Sequence, residues 1–299
     1  MQINTSATTT FAAMHYDQQL RLEECVAAGV TVFMRRYDLL HPEISGNKQF
    51  KLKYWLRERQ SNQPVLSFGG AYSNHLLALS AAGKENDFET VGIIRGENPE
   101  KPSPWLLRME ENGMELEHIS RQDYRAKEVP EFIGQLKLRF NNALIIPEGG
   151  AGLPGIKGAS EMIDSNEPYD WIVIPGGTGT TLAGIAIKAQ NTDTRILGIQ
   201  VLKGKSILRN EVLRTSGIDL DQFPNLKLDE EHHFGGYGKT NNELEAFRAD
   251  WFNKTSIPID HVYMAKTIYA TSKKINEGFF TSGARILLIH TGGNGPDIK

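Results

Sequence analysis

Trp171-Ile172-Val173-Ile174-Pro175-Gly176-Gly177-Thr178-Gly179-Thr180-Thr181-Leu182-Ala183-Gly184-Ile185-Ala186-Ile187 decides the fold of this chain. A short apolar, β-branched run feeds a glycine-rich turn and then an apolar run of helical length, so the segment reads strand, turn, helix. Glycines let the backbone come close to a ligand, the threonines add hydroxyl donors, and the helix presents free N–H groups at its positive end. Such a turn suits a phosphate. It has no Walker lysine, and Leu182 stands where a dinucleotide fingerprint needs its third glycine, so a lone phosphate group fits better than a nucleotide. A tight turn that binds nothing would have a similar composition.

Two further runs share this construction. Pro64-Val65-Leu66-Ser67-Phe68 leads into Gly69-Gly70-Ala71-Tyr72-Ser73-Asn74-His75 and an apolar helical run from Leu76. Ser73 and Asn74 are expected helix caps, yet with His75 they also crowd a glycine pair, where side chains reach a ligand held over the helix end. Ser73 is no acyl-transfer nucleophile, because the Gly-x-Ser-x-Gly elbow is absent around it. Near the end of the chain Arg285-Ile286-Leu287-Leu288-Ile289-His290 runs into Thr291-Gly292-Gly293-Asn294-Gly295. In open α/β sheets ligands lie at the carboxyl ends of strands, and the polar residues concentrate there.

Gly46-Asn47-Lys48-Gln49-Phe50-Lys51-Leu52 adds a pair of lysines three apart at the start of a helix whose apolar face carries Leu52, Trp55 and Leu56. A lysine pair at this spacing is commonly a solvated helix face. In a dry pocket the same pair supplies an amine that forms an imine with a carbonyl compound, since desolvation and a neighbouring cation keep it partly neutral.

Other readings are narrower. The chain has 299 residues, 39% of them hydrophobic, enough for two domains or one large one. A net charge of -3 leaves no basic footprint, which excludes nucleic acid as the expected partner. A single cysteine, Cys25, precludes an internal disulfide and suits a reducing cytoplasm. No export signal and no run of about 18 apolar residues is present, so no membrane is expected. Residues 1–10 read as a polar, loose start. His232-His233 beside Glu230-Glu231 has no second half of a metal site, and no metal is expected. His75 and His290 stand open between core hydrogen bonding and the wall of a site.

Strand candidates at 65–68, 90–94, 115–119 and 143–146, with helices at 104–112 and 131–140, form one α/β set. A second set has strands at 171–174, 195–201 and 285–289, with helices between. Residues 53–147 are therefore expected to be a small inserted domain, and residues 1–52 plus 148–299 a large one. A ligand would lie in the cleft between the two. Residues 221–237 read as a polar, irregular wall over that cleft.

Gly46-Asn47-Lys48-x-x-Lys51-Leu52, Gly69-Gly70-x-x-Ser73-Asn74-His75, Thr178-Gly179-Thr180-Thr181 and His290-Thr291-Gly292-Gly293, in this order, resemble the 1-aminocyclopropane-1-carboxylate deaminase and D-cysteine desulfhydrase family. The resemblance implies the tryptophan synthase β-subunit fold, two open twisted sheets with helices on both faces, and the cofactor pyridoxal 5'-phosphate. It implies that Lys51 carries the cofactor and that Asn74 meets its ring hydroxyl. Gly177, Thr178, Gly179, Thr180 and Thr181 would hold the phosphate. Ser73, with Asn74 and His75, would face the substrate, and Tyr237 and Tyr263 match two active-site tyrosines. It also implies a homodimer acting on a small amino acid.

The chain departs from the deaminases at Met264, where they have a glutamate that meets the pyridine nitrogen, and at Thr291, which is closer to the desulfhydrases. Gln49 and Phe50 replace the family's small polar residue and arginine. A hydroxyl at the ring nitrogen strengthens the electron sink less than a carboxylate does. The expected activity is therefore β-elimination from D-cysteine or a related D-amino acid, giving pyruvate and ammonia. The alternatives are ring-opening deamination of 1-aminocyclopropane-1-carboxylate to 2-oxobutanoate, or a catalytically silent relative that keeps the fold.

Overall fold

Parallel strands covered on both faces need nearly continuous apolar runs, and the runs singled out above become such strands in the computed structural model. It describes residues 16–293 and 295, so the expectation for residues 1–10 lies outside the described residues. One sheet joins β1 (Asp17–Leu20), β2 (Thr31–Arg35), β7 (Trp171–Gly176), β8 (Arg195–Gln200), β9 (Leu226–Asp229) and β10 (Arg285–Ile289) in the order β1-β2-β10-β7-β8-β9. Only the β1–β2 pairing in it is antiparallel. A second sheet, all parallel, has the order β5-β4-β3-β6, from β3 (Val65–Gly69), β4 (Thr90–Arg95), β5 (Glu115–Ile119) and β6 (Leu144–Ile146).

The helices, in chain order, are α1 (Glu23–Ala28), α2 (Asn47–Arg57), α3 (Asn74–Glu85), α4 (Pro104–Glu111), α5 (Pro130–Arg139), α6 (Leu153–Ala159), α7 (Thr180–Ala189), α8 (Ile207–Ser216), α9 (Asn242–Thr255) and α10 (Met264–Asn276). Among the described residues no helix is long and apolar enough to cross a membrane.

Alternation along the strands builds a core on each face. Trp171 and Val173 of β7 pack with Ile268 of α10, whereas Ile172 and Ile174 pack with Leu182 and Ile185 of α7. In the smaller sheet Val65 and Ile94 meet Leu76 of α3 and Leu106 of α4, while Leu66, Phe68 and Ile93 meet Leu136 of α5. With both faces covered, the free edge for a ligand is the carboxyl end of each sheet.

The segment 221–237 departs from the irregular wall expected of it. It contains β9, paired with β8 from Ile196↔Leu226 to Ile199↔Asp229. Leu226 and Leu228 alternate with Lys227 and Asp229, a period-2 pattern only four residues long, at the sheet edge.

Candidate active site

Residues at or just after the carboxyl ends of β3, β4, β6, β7, β8 and β10 line one cavity of about 480 Å³. Lys48 and Lys51 of α2 enter it from the side, with Ser73, Asn74 and His75 at the start of α3, the glycine turn before α7, and Tyr237, Tyr263 and Thr291.

Helix α2 begins at Asn47 because Gly46 adopts φ +62°, and a Cβ there would lie 2.0 Å from the carbonyl carbon of Thr291. The start of α2 and the segment after β10 are thus in direct backbone contact, and Asn47 N–H donates to the Thr291 carbonyl at 3.3 Å. Asn47 Nδ2 also donates to Thr181 Oγ1 at 2.8 Å, which ties α2 to the first turn of α7.

The two lysines take different neighbours. Lys51 is buried, and its Nζ lies 3.4 Å from Thr178 Oγ1 on the glycine turn. Burial, and then the charge of Lys48, hold its pKa well below the usual lysine range. Lys48 Nζ donates to Asn47 Oδ1 at 2.5 Å. Burial pushes its pKa down to about 8, against the opposing pull of Asp260.

The turn after β7 leaves room for a ligand. Gly179 sits at φ +74° and caps α7 without a side-chain hydrogen bond. A Cβ on Gly177 would lie 3.0 Å from the Tyr263 ring. Thr181 accepts from Asn47 and so keeps its own hydroxyl proton to donate elsewhere. Thr180 stands one step behind, its hydroxyl 3.1 Å from that of Thr178.

Around α3, Ser73 is the N-cap, accepting from Leu76 N–H at 3.2 Å, and it lines the cavity as well. Asn74 Oδ1 accepts from Trp105 Nε1 at 2.8 Å, which leaves its amide as a donor. Ser67 Oγ gives its proton to the Ile146 carbonyl, so His75 Nε2 is the donor in their 2.8 Å contact and Nδ1 is the acceptor. That Nδ1 is buried without a partner among the described residues. Burial, with Lys51 and Lys48 adding to it, keeps His75 neutral.

His290 belongs to the core. It is fully buried, its Nε2 meets the Pro258 carbonyl at 2.9 Å, and its Nδ1 accepts from Gly292 N–H. Thr291 Oγ1 lies 3.7 Å from Met264 Sδ, so the two departures from the deaminases stand against each other, both buried. The Tyr237 and Tyr263 rings are 5.9 Å apart, edge to face. Burial raises the Tyr263 hydroxyl pKa well above the usual range, and desolvation in the cavity raises that of Tyr237 as well, although its side chain is half exposed. His232 pairs with Asp229 at 2.9 Å, and among the described residues no group of three or more acids, histidines or cysteines could hold a metal ion.

Sequence reasoning missed Asp260, Arg95 and Glu148. Arg95 and Glu148 line the cavity, and single charged residues in the sequence carry no pattern that marks them. Asp260 is buried behind the wall and accepts from the N–H groups of Val262, Tyr263 and Met264, at 2.8, 2.6 and 3.1 Å. An aspartate just ahead of a helix is a capping signal and could have been read as one.

A parallel α/β pair of sheets with this cavity at its strand ends has the tryptophan synthase β-subunit fold. A crystal structure described as an ACC deaminase homologue superposes with a TM-score of 0.78 at 28% identity, covering 94% of this chain and 90% of that one. A putative 1-aminocyclopropane-1-carboxylate deaminase of Pyrococcus abyssi is 30% identical over 291 residues, 89% of this chain and 85% of that protein. A bifunctional D-cysteine desulfhydrase/1-aminocyclopropane-1-carboxylate deaminase of Arabidopsis thaliana is 25% identical over 298 residues, 89% of this chain and 73% of that protein. No family model matches. The chain belongs to the 1-aminocyclopropane-1-carboxylate deaminase and D-cysteine desulfhydrase family.

Proposed function

We propose that this protein is a pyridoxal-phosphate lyase that removes the β-substituent of D-cysteine or a related small D-amino acid, releasing ammonia and pyruvate. The observation that carries the choice of substrate is the buried contact between Met264 and Thr291, a thioether against a hydroxyl at the position where the deaminases that the sequence resembles have a glutamate. Asp260 keeps its charge, but its oxygens are directed to three backbone N–H groups at the start of α10.

The residues fit the cofactor. Uncapped N–H groups at the start of α7, the hydroxyls of Thr178 and Thr181 and the amine of Lys51 suit a phosphate, and the unpartnered His75 Nδ1 marks a polar wall built to meet a ligand. When bound, pyridoxal phosphate supplies an aldehyde that captures amines and a ring that accepts the electron pair left at the α-carbon.

The neighbours of the two lysines support exchanging their expected roles. A phosphate beside Thr178 would draw Lys51 back to its charged form, and a charged Lys51 would disfavour the ammonium of Lys48. Lys48, already lowered to about 8 and lowered further by a charged Lys51, would then be the amine that meets the cofactor's aldehyde and could hold the α-proton at Nζ. Lys51, the residue assigned that task from the sequence, serves as the cation beside the phosphate. Ser73 and the start of α3 face the substrate carboxylate, and Tyr263, held protonated by burial, offers its O–H to the departing sulfur. The same reading keeps residues 53–147 as a small domain closing over residues 1–52 and 148–299, in a cytoplasmic homodimer.

A panel of D- and L-amino acids assayed for ammonia release tests the proposal. D-Cysteine or β-chloro-D-alanine should lead it, and no product from any member would refute the reading.

A further inference from the structure

Lys266, on α10 three residues after Tyr263, is a lysine with no exposed surface. Its side-chain hydrogen bond runs from Nζ to the carbonyl oxygen of Gly236, at 2.7 Å. Burying an ammonium is costly, and an apolar side chain of the same length would fill the space. Burial lowers its pKa to about 8, and the carboxylate of Asp260 opposes that shift.

The carbonyl it holds belongs to an unusual turn. Phe234, Gly235, Gly236 and Gly238 all have positive φ, at +51°, +88°, +114° and +65°. A glycine-rich turn of this kind loses much conformational freedom when ordered, so it needs fixed points. Helix α10 supplies one at the end of β9, just ahead of the turn, and two in the turn itself. Lys274 pairs with Asp229 at 2.8 Å, Tyr269 packs edge-on against Phe234 at 4.9 Å, and Lys266 holds Gly236. The last point is the one next to Tyr237, whose ring lines the cavity against Tyr263, and Tyr263 immediately precedes α10.

We propose that Lys266 is a positioning residue that latches the Gly235–Gly238 turn to α10 and so sets Tyr237 against Tyr263 in the active site. The inference rests on the reading of these tyrosines as part of the site wall. One helix then carries both halves of that wall: Asp260 fixes Tyr263 at its start, and Lys266 fixes Tyr237 one turn later.

Hydrogen exchange of the cofactor-free protein, compared for wild type, Lys266→Met and Lys266→Gln, reads the latch without any turnover. Amides of residues 235–239 should exchange about tenfold faster in Lys266→Met, less so in Lys266→Gln, which keeps a donor, with β10 unchanged. In the pyridoxal-phosphate-loaded protein, kcat for D-cysteine should fall about tenfold with KM nearly constant, and this loss should shrink to about twofold or less in a Tyr237→Phe background. Unchanged exchange in both variants would overturn the latch, as would a kcat loss that is the same with and without the Tyr237 hydroxyl. If exchange quickens but the wild type turns over no amino acid, the latch stands and the proposed function alone fails.

Discussion

Lys48 and Lys51 illustrate what spacing conceals at the scale of single residues. Two lysines three apart on a helix both reach the cavity, and only the fold reveals which of them stands beside Thr178. The pKa of Lys48 gives a signed expectation. An amine attacks a carbonyl only when neutral, so the rate of pyridoxal-phosphate capture by the cofactor-free protein should be low below about 8 and rise as the pH passes through it. A rise centred instead near the ordinary lysine value of 10.5 would show that Lys48 is solvated. On the phosphate side, Thr178→Val and Thr181→Val should each weaken cofactor binding by about 1 to 3 kcal/mol if the hydroxyls donate to a charged phosphate. Gly179→Val should be worse, since its φ of +74° disfavours a side chain and a Cβ would lie 2.1 Å from Val212. Spectroscopic titration of all three variants checks this, and unchanged affinity throughout would relocate the phosphate.

Among the elements, all four strands of the smaller sheet, its edges β5 and β6 included, were legible with β7, β8 and β10 of the larger one, whereas β1, β2 and β9 were not. The runs that became β3, β4, β7 and β10 are continuous and apolar, because helices cover both sides of them. β1 reads Asp17-Gln18-Gln19-Leu20, and only Leu20 is buried, so hydrophobic pattern had little to report. β9 failed for the same reason. The glycine turns were legible as turns at strand ends because glycine composition marks them, whereas the contact between α10 and the Gly235–Gly238 turn depends on Lys266 and Gly236, 30 residues apart in the chain. The contact between α2 and the segment after β10 makes a prediction at this scale. Gly46→Ala forces a side chain into a left-handed backbone and onto the Thr291 carbonyl, which should cost about 1 to 3 kcal/mol in urea unfolding and loosen the cofactor as well. A variant with native stability and native cofactor affinity would mean that the two segments are free to part.

For the whole molecule, the proposed substrate choice rests on the buried Met264–Thr291 contact as the partner of the ring nitrogen. β-Elimination tolerates a neutral partner at the ring nitrogen, because the departing group drains the electrons as the α-proton leaves. Cyclopropane opening has no comparable leaving group and leans harder on the ring. The ratio of kcat/KM for D-cysteine over 1-aminocyclopropane-1-carboxylate should therefore exceed one and should narrow in Met264→Glu. Faster turnover of the cyclopropane substrate by the wild type would reject the ring-nitrogen explanation.

The central proposal is a pyridoxal phosphate that would be held by the turn before α7 and captured by one lysine of α2. Borohydride reduction of the cofactor-loaded protein, followed by mass spectrometry of the peptide spanning residues 46–52, tests it most directly. A phosphopyridoxyl group on Lys48 is the expected result; the same group on Lys51 would reverse the division of labour between the lysines, and no label on either would contradict the cofactor assignment itself.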